Sequence, residues 1–261
     1  MIKDLKNPLS YIYLGIIVIF LYAPIFTLVV LSFNRSRSMA VWMGFSVDWY
    51  RRMIADPMIL EAIWNTFSIA LVSAVIATII GTLGAIGVTA MRKSRQTVIL
   101  AFNNIPLLNA DIVIGISLML TYLIFGISLS WGTVLLSHIT FSLPYVVLSV
   151  MPKLKQTARM NYEAALDLGA TPINAFIKVV LPDVLPGIVS GFLLAFTMSV
   201  DDFVVTHFTR GAGINTISTL IYSQAKVGIK PTLFALSTII FAVVLVVLTV
   251  SNIISNRKSV A

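Results

Sequence analysis

Three aspartates, Asp111, Asp201 and Asp202, lie inside long apolar runs of the sequence. An ionised carboxylate near the centre of a bilayer costs about 2.5 to 3.5 kcal/mol on insertion scales, so each of them should face protein or water. On straight helices, the rise per residue places Asp111 ~20 Å and Asp201 ~22 Å into their runs from the same side. These carboxylates could therefore converge on one cavity, although Pro106 can bend the chain before Asp111.

Such a cavity would be strongly acidic, because the apolar runs contain no Lys or Arg that could neutralise it. Two or three carboxylates suit a multivalent cation whose amines supply the missing charge. On a helix, Asp201 and Asp202 would point about 100° apart, so we expect one to bind and the other to support it, with Ser199 as a neutral hydrogen-bonding neighbour. The alternative is that the aspartate pair sits at a helix end wetted by the external face.

Other chemically capable residues give weaker signals. Trp49 and Tyr50 could stack on an amine at an external mouth, although anchoring at the membrane interface is the more common role of such residues. The two histidines, His138 and His207, are far apart and have no acidic or cysteine ligands beside them, so no metal site is predicted. The sequence contains no phosphate loop or nucleophile elbow. We therefore expect no catalysis, no ATP hydrolysis and no cofactor on this chain.

The elements that must position these residues are membrane helices. Of the 261 residues, 58% are hydrophobic and 11% are charged, whereas a soluble domain carries about a quarter charged residues. We predict an all-α membrane protein that forms one domain over residues 1–261. The chain has a net charge of +8. Its Lys and Arg residues lie between the apolar runs, where they indicate the membrane topology rather than nucleic-acid binding. Six spans are predicted, over residues 11–33, 62–90, 98–125, 131–151, 185–208 and 232–254.

Cations in the connections predict the orientation of these spans, because cytoplasmic loops carry the excess of Lys and Arg. With the N-terminus inside, eleven cations are cytoplasmic and seven are external. The short turn with Arg92, Lys93 and Arg95 contains three cations and no acid. Both termini should therefore be cytoplasmic. The first run is too long for a signal peptide and lacks a cleavage site of small residues, so we expect it to be retained.

The long cytoplasmic connection, residues 152–184, should contain two short helices. The first runs from Asn161 to Leu168, with Asn161 as a possible cap and Gly169 as a left-handed stop. The second begins with Thr171 as N-cap and Pro172 at the first helical position, and it should end at Pro182. Two short amphipathic helices joined at a glycine could dock into the groove of a partner. They could equally lie on the bilayer surface.

A family resemblance bears on this choice. Glu163, Ala164 and Ala165, followed by Gly169 and by the pair Leu181 and Pro182, resemble the EAA loop of the permeases of binding-protein-dependent ABC importers. Val179 departs from the isoleucine usual in that pattern. Further similarity to the polyamine (spermidine/putrescine) branch of this family covers most of the chain, and it is carried by residues 21–25, 111–113, 138–141 and 199–205.

The resemblance implies a type I ABC importer permease fold with a cytoplasmic coupling helix, in a bacterial cytoplasmic membrane. It implies a permease subunit for spermidine or putrescine that works with a second permease subunit and an external polyamine-binding protein. Two ATPase subunits would hold the ATP and Mg and would accept the EAA loop. The alternative is a secondary transporter or channel that uses the same aspartates for a proton or metal cation, but it leaves the cytoplasmic loop without a role.

Overall fold

The computed structural model describes residues 8–155 and 159–258, which are organised almost entirely as helices. An isolated β-bridge joins Asn34 and Phe45. Within the described ranges the α-helices are α1 (Pro8–Ser32), α2 (Asp48–Ala55), α3 (Pro57–Thr89), α4 (Lys93–Leu108), α5 (Asp111–Ile124), α6 (Trp131–Lys153), α7 (Arg159–Asp167), α8 (Pro172–Ala175), α9 (Leu181–Asp201), α10 (Val204–Thr209), α11 (Ile217–Val227) and α12 (Pro231–Lys258).

The predicted all-α membrane class is confirmed. Four helical segments are long and apolar enough to cross a bilayer, and the bent pair α4 and α5 makes a fifth span if it crosses as one unit. The four are residues 11–32, 57–89, 131–153 and 172–201. The sixth predicted run falls in α12, where the apolar stretch of fully described residues, Pro231–Val243, is shorter than a span. The count of six therefore stays a prediction.

The third predicted span is not straight. Helices α4 and α5 are bent by 107° at the connection between Leu108 and Asp111. Asn109 and Ala110 are both extended there, and the Asn109 amide donates to the Ile105 carbonyl at 2.8 Å, which satisfies one acceptor at the helix end. Asp111 is consequently the first residue of α5. The depth estimated for it along a straight helix is wrong, because that estimate assumed a constant rise through the break.

The fifth predicted span differs at both ends. It does not begin after Pro182, since α8 continues into α9 through a π-helical turn, Phe176–Val180. The Leu181 N–H donates to the Phe176 carbonyl across this turn, and Pro182 follows directly at the start of α9. At the other end α9 stops at Asp201, and Asp202 is extended with φ −64° and ψ 125°. The predicted 100° separation of Asp201 and Asp202 on one helix is therefore wrong.

Contacts divide the chain into two compact units, of which Glu61–Leu220 is the larger. Its core consists of buried small aliphatic residues of α3, α6 and α9, together with Leu154 and Val180. Glycines permit the close approach of these helices: a Cβ on Gly81 would lie 2.8 Å from the Val146 side chain, and one on Gly191 would lie 3.2 Å from the Val146 Cα. Small residues at helix interfaces are the usual means of tight packing in membranes.

The other unit comprises residues 1–60 and 221–261, of which the described part contains α1, α2 and α12. Trp49 of α2 is 6% exposed, and its indole N–H donates to the Asn34 carbonyl at 2.6 Å. Next to it, the Tyr50 and Ser32 hydroxyls are 2.7 Å apart. Most of the large apolar side chains of α1 are exposed, as a helix facing lipid or a partner subunit requires.

Candidate functional site

The three aspartates line one cavity of about 200 Å³ in the larger unit. Asp111 reaches it from the start of α5, and Asp201 and Asp202 reach it from the end of α9. The bend before α5 and the break after α9 thus bring the carboxylates together. The sequence raised a bend near Pro106 and a helix end at the aspartate pair only as alternatives to the straight helices on which the convergence was predicted. Their common lining has a mixed acidic and aromatic character and comprises Pro106, Asp111, Ile114, Phe141, Tyr145, Met198, Asp201, Asp202, Phe203, Val204 and Val205.

Aromatic side chains form part of the cavity wall, and the sequence analysis missed them. Phe141 and Tyr145 of α6 and Phe203 of the α9–α10 break all belong to the lining. Phe141 and Tyr145 are four residues apart and share a helix face with His138, which is the periodic signal that could have found them. Aromatic faces attract cations through their quadrupole, so this wall complements the carboxylates.

Asp202 is bound to the start of α10. Its carboxylate accepts hydrogen bonds from the Val205 N–H at 3.2 Å and from the Thr206 N–H at 2.7 Å, and the Thr206 hydroxyl donates to it at 2.7 Å. These groups are among the unpaired donors of the first helical turn, which a carboxylate satisfies well. Asp202 therefore holds the start of α10, and its supporting role beside a bound cation stays a prediction.

A buried hydrogen-bond network continues from Asp202 through His138. The His138 Nε2 lies 2.9 Å from the Thr206 hydroxyl and 3.5 Å from the Asp202 carboxylate. The His138 Nδ1 lies 2.6 Å from the Ser199 hydroxyl, which is in turn 3.2 Å from the Ser73 hydroxyl. The network thus connects α3, α6, α9 and α10 immediately beside the cavity.

Asp201 and Asp111 differ from Asp202 in being exposed. Within the part of the chain that the structure describes, no hydrogen-bond donor or cation contacts the Asp201 carboxylate. A carboxylate at the rim of an apolar bundle without a partner keeps its full capacity for an incoming cation. Asp201 is therefore the member of the pair that is placed to bind, and its role in transport stays a prediction.

Two predicted pathway residues do not line the cavity. Ser199 is buried and holds the His138 ring, so it stands behind the wall as part of the network. Trp49 belongs to the smaller unit, where the Arg52 guanidinium covers its ring at 5.1 Å. Because its N–H and one face are already engaged, Trp49 is not exposed for stacking on an amine.

The two short helices of the predicted coupling loop, residues 159–182, are here called the coupling segment, and they have the expected turn between them. Gly169 has φ +84°, and the Gly169 and Ala170 N–H groups donate to the Leu166 and Ala165 carbonyls at 2.9 and 3.0 Å. This is the paired hydrogen bonding of a left-handed helix stop. Thr171 caps the next helix by accepting from the Asn174 N–H, with Pro172 following it. Asn161 does not cap α7, because α7 already includes Arg159 and Asn161 lies inside the helix. Its amide donates to the Asp183 carboxylate at 2.7 Å and ties α7 to α9.

The coupling segment presents apolar groups outward. Glu163 and Ala164 are exposed on α7, whereas Ala165 is buried. Leu168, Ile173 and Ile177 are exposed. A groove of about 890 Å³ lies between this segment and the ends of α3 and α6, and it is lined by Ile86, Thr89, Ala90, Met91, Leu154, Tyr162, Pro172, Ile173, Phe176, Ile177 and Val180. Leu181 and Pro182 lie at the junction of the π-helical turn and α9.

These features define a class: a multi-pass membrane protein with an acidic cavity between its helices and a pair of short helices joined at Gly169. Solved structures with this fold include a bacterial ABC transporter involved in the import of the acidic polysaccharide alginate. Its chain matches with a TM-score of 0.73 and 19% identity over 98% of each chain. A bacterial alginate ABC transporter in complex with an alginate pentasaccharide-bound periplasmic protein matches with a TM-score of 0.72 and 18% identity, over 98% of this chain and 96% of that one. At this identity the match shows the fold.

Sequence relatives are closer. The chain is 37% identical to the spermidine/putrescine transport system permease protein PotC of Escherichia coli strain K12, over 92% of this chain and 91% of the relative. It is 37% identical to the putrescine transport system permease protein PotI of the same strain, over 86% and 83%. It is 35% identical to PotC of Haemophilus influenzae, over 95% and 96%.

A family model described as binding-protein-dependent transport system inner membrane component matches residues 88–259. The chain belongs to this family of transport permeases. The resemblance predicted from the EAA loop is thereby confirmed, and the alternative of a secondary transporter or channel loses its support.

Proposed function

We propose that this chain is a permease subunit of an ATP-driven importer of polyamines, spermidine or putrescine, and that it forms half of the translocation pathway. The observation that carries the proposal is the cavity in which Asp111, Asp201 and Asp202 meet three aromatic side chains. The permease relatives named for spermidine and putrescine transport support the same substrate class.

The chemistry of the cavity fits an alkyl polyamine better than a metal ion. Protonated amines are multivalent and can be paired with carboxylates, while their methylene chains lie against aromatic faces. A metal ion prefers a compact shell of oxygen, nitrogen or sulfur ligands. No cluster of three such ligands is found among the described residues. Conduction also requires weak binding to several groups, and the cavity offers three carboxylates.

The partners follow from the family and from the coupling segment. A second permease subunit would complete the pathway, and an external polyamine-binding protein would deliver the substrate. Two ATPase subunits carrying ATP and Mg would accept the helices around Glu163, Ala164, Ala165 and Gly169, with Leu181 and Pro182 at the junction to α9. Closure of the ATPases would then move the permease halves between outward-facing and inward-facing arrangements. This chain itself is not expected to hydrolyse ATP.

The experiment that tests this function reconstitutes the chain with its second permease, ATPase and binding-protein subunits in proteoliposomes. We expect accumulation of radiolabelled spermidine or putrescine that requires ATP hydrolysis, and a matched complex with a hydrolysis-deficient ATPase should accumulate none. Accumulation of polyamine driven by a proton or sodium gradient without ATP would contradict the proposal, as would ATP-driven uptake confined to an acidic oligosaccharide.

We further propose that both termini are cytoplasmic in a bacterial inner membrane. The motivating cation count includes Lys3 and Lys6, which lie outside the described residues. The native chain has no cysteine, so single cysteines can be scored in intact cells with a membrane-impermeant maleimide. We expect labelling at Ser38→Cys and protection at Ser94→Cys until the cells are permeabilised. External labelling at position 94 would reverse the topology.

A further inference from the structure

His138 is a buried polar side chain to which the cavity assigns no direct role. It is 1% exposed and lies in α6, where its ring contacts the Phe141 ring at a centroid distance of 5.0 Å. Both ring nitrogens have partners, Ser199 on one side and Thr206 on the other. These partners belong to different helices, since α9 ends at Asp201 and α10 begins at Val204. One imidazole therefore holds both sides of the break that carries Asp201.

For a neutral ring, the hydrogen bonds around His138 fit one arrangement of protons. The Thr206 hydroxyl has one proton, which it donates to Asp202 at 2.7 Å. Its oxygen then accepts from His138, so Nε2 carries the ring proton. In the neutral ring Nδ1 is an acceptor, and it receives the Ser199 hydroxyl proton at 2.6 Å. Every polar atom of the ring is thus used, and the ring is fixed in rotation as well as in place.

The break has a geometric consequence for Asp201. Asp202 is committed to Val205 and Thr206, so the start of α10 is fixed relative to that carboxylate. Ser199, two residues before Asp201, is fixed by the His138 ring. Asp201 lies between these two points, and its carboxylate lines the cavity without a partner of its own in the described chain. Its direction is therefore set by the groups that hold the residues on either side of it.

We propose that His138 is a positioning residue of the cation pathway, which acts by bonding Ser199 and Thr206 across the α9–α10 break and so presents the Asp201 carboxylate to the cavity. This inference rests on the proposed function only in naming a cation as the species that uses the carboxylate. Binding groups act well when neighbouring residues lock their geometry. A small displacement of a positioned group can have a large kinetic cost.

The first measurement needs no substrate. Asp201→Cys is introduced into the full complex in detergent, and the thiol is modified with a cationic methanethiosulfonate reagent. Adding His138→Phe keeps a ring and removes both hydrogen bonds. We expect the modification rate to rise or fall by about fivefold or more, because modification requires an accessible thiolate and the residue at position 201 should change its direction. His138→Gln, whose carboxamide offers one acceptor and a donor, should restore most of the parental rate. Thr140→Val on the exposed face of α6 is the matched control and should leave the rate unchanged.

The second measurement uses the native Asp201. In proteoliposomes normalised for assembled complex, His138→Phe should lower polyamine uptake by about tenfold or more. The His138→Gln variant should regain most of this uptake. A role limited to stability would reduce the amount of complex but would leave the modification rate at position 201 and the uptake per complex unchanged, and that result would overturn the inference.

Where His138→Phe does not assemble, Thr206→Val replaces it, since this variant keeps the side-chain shape and removes only the hydroxyl between His138 and Asp202. A change of similar size in the modification rate at position 201 is expected, and an unchanged rate overturns the inference. The two proposals fail separately. A complex that moves no polyamine but still shows His138-dependent modification refutes the proposed substrate while it supports the positioning role.

Discussion

Replacing Asp201 with asparagine should remove most polyamine uptake while the complex still assembles. The substitution keeps the side-chain shape and removes a negative charge that has no partner among the described residues, so little folding free energy depends on it. A cation crossing an apolar bundle loses one of its few counter-charges, and we expect uptake to fall by about tenfold or more. The measurement is ATP-driven uptake in proteoliposomes, with the thermal stability of the purified complex recorded beside it.

Asp202→Asn is the matched comparison, because it removes the same charge from the neighbouring position. An asparagine amide would place N–H groups against the Val205 N–H, the Thr206 N–H or the Thr206 hydroxyl, all of which donate to the carboxylate in the native chain. We therefore expect a loss of about 2 kcal/mol in stability and a lower yield of complex. Equal thermal stability of the two variants, or normal uptake by Asp201→Asn, would contradict this division of roles.

Replacing Gly169 with valine should uncouple ATP hydrolysis from transport. Gly169 has φ +84°, a conformation that β-branched residues adopt poorly, although no atom stands in the way of its Cβ. The strain of about 1 to 3 kcal/mol is equivalent to a roughly 5- to 150-fold shift away from the native loop. We expect the polyamine transported per ATP hydrolysed to fall severalfold, as measured by parallel uptake and phosphate-release assays on one preparation.

Gly169→Asn provides the control for this prediction, because asparagine enters the left-handed region far more readily than valine. It should retain most of the coupling ratio. If the valine variant assembles and transports at the normal ratio, the segment is only a surface anchor, and the proposed contact with the ATPase subunits would have to lie elsewhere.

The sequence predicted the membrane class, the general position of the helices and the turn at Gly169, because these depend on local chemistry. An apolar run must form a helix in lipid to satisfy its backbone, and a glycine after a run of helix formers is the usual stop. Thr171 and Pro172 begin the next helix as expected for the same reason.

The details of the cavity could not be predicted in the same way. The bend at Asn109 and Ala110 and the helix end at Asp201 occur inside continuous apolar runs, where periodicity gives no warning. Asp202 prefers the N–H groups of α10 to a helical position, and His138 finds its partners 61 and 68 residues further along the chain. Such choices depend on tertiary contacts. The predicted convergence of the three aspartates was therefore reached from an incorrect geometry.

The π-helical turn between α8 and α9 also determines where one residue can be deleted from this region without changing which side chains are buried. Ala175 and Val180 are five residues apart, yet they are 0% and 4% exposed, so both lie on the buried side of the segment. In an α-helix, residues that share a face are three or four apart. Deleting one residue within the turn would return it to α-helical bonding with this shared face preserved. A one-residue deletion further along α9 would instead rotate everything before it by about 100°. We therefore expect a one-residue deletion to be tolerated within this turn and not beside it.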